Sequence, residues 1–208
     1  MRVRWIVLGD SLVGDHLRPD PQTGGFGAEV ISNAIVHGEL DGCLAGVVGS
    51  TAAQWRSVLV DGKGAGRVTS EPPCVTPQAL RGAVVLLSLG TNDAAGRVRP
   101  DLFARDVAAI REVLKGRGAD EVILVGANAY PGRSDLAAAA QAAGVPVIDR
   151  WREYPNANAH PTRAQHAAPT EKLMELVRAS LKARRGLRWF GAALATVIAW
   201  FVAREVMR

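Results

Sequence analysis

Aromatic residues are scarce in this 208-residue chain, at 5% of the total, and only two cysteines occur, Cys43 and Cys74. Two cysteines in no metal-ligand spacing exclude a zinc module and a multiply bridged scaffold. No metal site is therefore expected, and both thiols read as reduced, structural groups. With few aromatics to fill space, the abundant Gly and Ala suit helices packed closely on a sheet. A secretion signal is not expected either, because the apolar run Trp5 to Leu8 is far too short for a signal's hydrophobic core. Internal repeats are absent.

A broad field of one charge is also missing. The formal net charge is +5, yet residues 178–208 hold seven basic residues and one acid, while residues 1–177 hold 18 basic and 19 acidic. A nucleic-acid footprint would lie across the folded face of the domain. Here the body is close to neutral and the excess crowds around an apolar segment, so no nucleic-acid partner is expected.

What is present is an apolar fraction of 48%, ample for one domain with its own core. Five short apolar runs read as strands: "VRWIVLG" at Val3–Gly9, "CLAGVVG" at Cys43–Gly49, "AVVLLSLG" at Ala83–Gly90, "EVILVGA" from Glu121 and "VPVID" ending at Asp149. Helical patterns alternate with them: "FGAEVISNAIVHG" from Phe26, "TAAQWRSVLV" with Thr51 as N-cap, "PDLFARDVAAIREVLKGRG" from Pro100, "SDLAAAAQAAG" from Ser134, and Thr170 to Arg185. Residues 61–78 hold Gly, Pro and Ser clusters and read as loop. Strands apolar on both faces, alternating with helices, predict an α/β fold, a three-layer α/β/α domain of flavodoxin-like type around a five-stranded parallel sheet. Sites in such sheets form beyond the carboxyl ends of the strands.

The residues at those ends are "GDSLVG" (Gly9 to Gly14), Gly49, and "GTND" (Gly90 to Asp93), with "HPT" (His160 to Thr162) further on. Four blocks in this order resemble the signature blocks of the SGNH (GDSL-type) hydrolase family, over residues 1 to about 185. The resemblance implies an ester hydrolase with Ser11 as nucleophile and His160 as base. It implies an oxyanion hole made by the backbone N–H groups of Ser11 and Gly49 and the side-chain amide of Asn92. The chemistry suits the residue types: the serine needs a base and the oxyanion needs donors. Glycine lets backbone approach a substrate closely, and an Asn amide donates without charge. Each has a plainer role open to it as well: Ser as a helix cap, Asn as a turn residue, Gly as a strand stop. Asp10 and Asp93 are expected to cap and brace loops. His16, His37 and His166 read as surface or helix residues. No metal or organic cofactor is implied. The rival nucleotide-binding domain shares the sheet, but the loop after strand one lacks a phosphate-cradling Gly-rich run.

At one position the pattern is broken. The family's acid usually stands three residues before the histidine, and here that residue is Ala157. Three arrangements remain open. A backbone carbonyl or Asn158 orients His160, giving a Ser–His dyad; or Asp149, at the end of strand five, supplies the carboxylate; or the site binds a glycan or lipid without turnover, as a pseudo-hydrolase.

Trp189 to Ala203 is a run of fifteen residues without charge, bracketed by Arg188 and Arg204. At about 1.5 Å per residue it spans about 22 Å, short of a hydrocarbon core of roughly 30 Å. Leu187 and the flanking arginine stems lengthen it, and Trp189 and Trp200 suit the two interfaces. The expectation is a hydrolase domain over residues 1–185 and a C-terminal transmembrane helix within residues 186–208, engaging the membrane through residues 187–206. Four basic residues precede the segment and two follow it, which places the catalytic domain in the cytoplasm; a phage or virion membrane is the alternative. The expected substrate is a small acyl ester, such as an acetyl ester on a glycan, or a lipid acyl ester.

Overall fold

The computed structural model describes residues 3–14, 26–125, 135–148 and 170–183. His160, Ala157, Asn158, Asp149, His16, His166 and the apolar tail fall outside them. The chain divides into two units, Met1–Glu171 and Lys172–Arg208.

The first unit is built on five strands: β1 (Arg4–Gly9), β2 (Leu40–Gly46), β3 (Ala83–Ser88), β4 (Glu121–Val125) and β5 (Val147–Ile148). They pair in the order β2-β1-β3-β4-β5, every neighbour parallel. The expected five-stranded parallel sheet is therefore present. The chain leaves β1 toward β2, then crosses back to β3 on the other side. That reversal opens a crevice beyond the carboxyl ends of β1 and β3, where doubly wound sheets place their ligands.

Position in the sheet explains the sequence of each strand. Central β1 and β3 are covered on both faces, and Trp5, Ile6, Val7, Leu8 and the whole of β3 are buried. On one face Ile6, Leu8, Val85 and Leu87 join a core with Trp55 and Leu59 of α3 (Ala52–Leu59) and with α6 (Pro100–Gly116). In α6 the apolar stripe Phe103, Val107, Ile110 and Leu114 recurs at helical spacing and is wholly buried. Strand alternation turns Trp5, Val7 and Leu44 to the opposite face. There α2 (Phe26–Val36) packs so tightly that a side chain on Gly42 would collide with Ile31. The short helices α1 (Ser11–Gly14), α4 (Pro77–Leu80) and α5 (Thr91–Ala95) and the helix α7 (Asp135–Ala142) complete the connections. A further helix over 170–183 buries the stripe Leu173, Met174, Val177 and Leu181.

Three expectations are corrected or refined. The second strand begins earlier and ends earlier than its apolar run, because its partner β1 ends at Gly9, opposite Gly46. Val47 and Val48 continue the apolar pattern but belong to the loop. The stretch expected to be loop carries a 3-10 turn at Pro73–Val75 and the start of α4, capped by the Thr76 hydroxyl, which accepts the Ala79 N–H at 3.3 Å. Cys43 and Cys74 are joined as a disulfide rather than held as free thiols. The 3-10 turn brings Cys74 beside the edge strand, with the two Cα atoms 6.1 Å apart, within the usual bridging range. No helix among the described residues is long and apolar enough to cross a membrane, and residues 187–206 lie outside those residues.

Candidate active site

The ends of β1, β2 and β3 converge through the backbone of one residue. The carbonyl oxygen of Gly9 accepts the Val47 N–H at 2.9 Å and the Ser50 hydroxyl at 3.3 Å. The loop after β2 is thereby fastened to the end of β1. Gly9 must be glycine, because a Cβ there would collide with the Ser88 carbonyl of the adjacent strand. Asp10 continues this contact, its N–H donating to Ser88 at 3.1 Å. Its Oδ1 accepts the Leu12 N–H at 3.0 Å and so closes the turn into α1, with Ser11 as first helical residue. Ser11 is 6% exposed and stands at the open end of the sheet.

The loop after β2 carries Gly49 at φ +75°, a left-handed conformation that favours glycine. Ser50 follows, buried, with its hydroxyl also accepting the indole N–H of Trp55 at 3.0 Å. The loop after β3 reaches over to it. Asn92 Nδ2 donates to the Ser50 carbonyl at 2.9 Å. The Asp93 carboxylate accepts the Ala52 N–H at 3.1 Å and 3.2 Å through its two oxygens, holding the first turn of α3.

Ser11, Gly49 and Asn92 are thus gathered at one end of the sheet by contacts among their immediate neighbours. Asp10 and Asp93 cap and brace loops, as their sequence positions suggest. Ser50 is the joint that sequence reasoning passed over. It takes part in three of these bonds, and its only signal is its place between Gly49 and a helix cap. His37 sits exposed in the turn after α2. His160, Asp149 and Asn158, the expected base and its orienting partners, lie outside the described residues. No group of metal-ligating side chains occurs among the described residues.

No protein-family model matches the chain, and no curated protein matches it in sequence. Solved structures do. Est24, a carbohydrate acetylesterase from Sinorhizobium meliloti, aligns over 86% of this chain and 99% of its own, at 14% identity and a TM-score of 0.59. The acetyl xylan esterase AlAXEase aligns over 84% and 100%, at 14% identity and a TM-score of 0.57. TesA aligns over 83% and 96%, at 19% identity and a TM-score of 0.59.

The chain has the SGNH-hydrolase fold.

Within that fold, the site's electrostatics are set by two buried carboxyl groups. Burial pushes Asp10 up to about 7; the Leu12 N–H opposes the shift and the nearby Asp93 charge adds to it. Burial pushes Asp93 up to about 6, opposed by the Ala52 N–H and reinforced by the Asp106 charge. Asp10 Oδ2 is buried and has no hydrogen-bond partner among the described residues, the situation in which a carboxyl keeps its proton. Both groups hold a proton more tightly folded than unfolded. As pH rises from the ordinary carboxyl range toward 7, unfolding releases protons, and stability falls across that interval. Above about 7 this contribution is flat. Urea denaturation of the wild type should show a midpoint that declines from about pH 4.5 to about pH 7.5. Asp10→Asn keeps the acceptor for Leu12 without the titrating proton, and should flatten the decline. An unchanged slope in the variant would take Asp10 out of the titration.

Proposed function

We propose that the chain is a serine ester hydrolase that works by two-step acyl transfer. The observation that carries this reading is the joining of the three loops through Gly9, Ser50 and Asn92. With it the first residue of α1, a serine, lies at the same end of the sheet as a left-handed glycine and a primary amide, which supports the reading. Ser11 attacks the ester carbonyl, and His160 takes its proton and returns it to the departing alcohol. Water then hydrolyses the acyl-enzyme by the same route. The developing oxyanion is met by the N–H groups of Ser11 and Gly49 and by Asn92. An Asn amide has two N–H donors. One holds the Ser50 carbonyl, which fixes the plane of the amide, and the other is the one offered to the oxyanion.

The proposed substrate is a small acyl ester, with an acetyl ester of a glycan ahead of a lipid ester. Two of the similar folds, Est24 and AlAXEase, are named as a carbohydrate acetylesterase and an acetyl xylan esterase, which supports that order. Ala157, in place of the usual acid, favours one rival, a domain of the same shape that binds such a substrate without turning it over.

Hydrolysis of p-nitrophenyl acetate by the full chain separates the two. Ser11→Ala and His160→Ala should each abolish turnover above the uncatalysed rate. Asn92→Ala should lower kcat by about 10²–10³. Turnover that survives Ser11→Ala unchanged would remove Ser11 from its role, and no turnover in the folded wild type would leave the binding domain.

We further propose that residues 187–206 anchor the chain in a membrane. The flanking arginines favour a cytoplasmic domain. The Cys43–Cys74 disulfide favours an oxidising compartment, since the cytosol keeps thiols reduced. The bridge is the weightier observation, because the charge asymmetry rests on six residues. In membranes prepared from cells expressing the chain, both cysteines should resist alkylation until a reductant is added. Alkylation of both without reductant would put the domain in the cytoplasm, and recovery of the chain in the soluble fraction would refute the anchor.

A further inference from the structure

The loop between α3 and the 3-10 turn holds a guanidinium against the glycine of the proposed oxyanion hole. Ala65 and Val68 exchange backbone hydrogen bonds at 2.8 Å and 3.1 Å, closing a two-residue turn with Gly66 and Arg67 at its tip. Gly66 takes φ +55° at the first central position, where such turns require glycine. A side chain there would strike Gln54 of α3. Gln54 is itself fixed, its Oε1 accepting the Thr51 N–H at 3.3 Å. Val68 is buried in the core, and the Ser57 hydroxyl holds the Lys63 carbonyl at 2.9 Å. Both ends of the turn are therefore tied to the scaffold.

This turn aims Arg67 back over the loop after β2. Its Nη1 donates to the Val48 carbonyl at 3.3 Å. Its Nε, Cδ and Cζ lie so close to Gly49 that a Cβ on that residue would sit 3.0–3.2 Å from them. The side chain is nevertheless exposed. Five other arginines, at 56, 99, 105, 111 and 117, are ion-paired with acids. Among the described residues Arg67 is joined to no carboxylate. A guanidinium has five donors, and a single carbonyl leaves most of them facing outward.

We propose that Arg67 is a specificity-determining residue that selects esters whose alcohol part carries an anionic group, a carboxylate or a phosphate. The inference rests on the esterase reading above. An acetyl group ends one bond from the reacting carbon and carries no charge for a guanidinium to meet. The group that meets Arg67 therefore belongs to the alcohol, and the substrate class narrows to acetyl esters of acidic glycans. A planar fork of donors suits both carboxylate and phosphate.

The test compares 4-acetoxybenzoate with its neutral amide, 4-acetoxybenzamide, on the full chain. The ratio of their kcat/KM values cancels any general damage to the site. Arg67→Gln should lower the ratio of anionic to neutral ester by about five- to tenfold, the scale expected for one charge-assisted contact in a partly wet site. Arg67→Lys should keep part of the preference, and raising the salt should weaken it in the wild type but not in Arg67→Gln. An equal fall for both esters would make Arg67 a brace for Val48 and overturn the proposal. If neither ester is hydrolysed, the esterase reading fails by itself, and an NMR titration with 4-acetoxybenzoate still decides the anion site. Binding weakened by Arg67→Gln supports it, and equal binding in the two proteins overturns it.

Discussion

Parallel strands end with backbone groups that the sheet no longer pairs, and at the end of β1 the neighbouring loops take them up. The Gly9 carbonyl receives both Val47 and Ser50. A buried carbonyl left unpaired would be costly, so the loop after β2 has one favoured seat. From that seat the rest follows. Ser50 presents its own carbonyl to Asn92, and Ala52 presents its N–H to Asp93. Three loops distant in sequence become one platform, and the close approach of β1 to β3 that allows it depends on glycine at position 9. An oxyanion hole needs this kind of support, because its donors act by being fixed before the charge develops.

Below the platform lie the two buried carboxyl groups. Among the described residues neither forms an ion pair. Each accepts a backbone N–H, and each holds its proton to a higher pH than an exposed carboxyl would. Below about pH 7 Asp10, next to the proposed nucleophile in the chain, keeps its proton and adds no negative charge there. The cost of burying such groups is tolerated here because their hydrogen bonds hold the turn into α1 and the first turn of α3.

Much of this was legible in the sequence. Apolar runs gave the five strands, because a central parallel strand must be apolar on both faces. The strand-end blocks offered Ser11, Gly49 and Asn92 as candidates through their resemblance to the SGNH signature, and close backbone approach and uncharged donors suit those residue types to the implied roles. Strand ends were less legible. The apolar run at Cys43–Gly49 continues past the sheet, since β2 stops where its partner β1 stops. Ser50 was hidden because its value lies in what its neighbours bring to it. The disulfide was hidden because a separation of 31 residues says nothing about distance. Arg67 was hidden in a loop, where only the turn at Gly66 reveals its aim.

The central claim is that Ser11 is an activated nucleophile, and the most direct measurement is covalent labelling. The folded full chain is treated with a fluorophosphonate, which reacts with a serine only where a base and an oxyanion hole assist it. The modified peptide is then located by mass spectrometry. The account predicts one adduct, on Ser11, that is lost in His160→Ala. Unlabelled Ser11 in a folded chain, or an adduct that persists without His160, would contradict it.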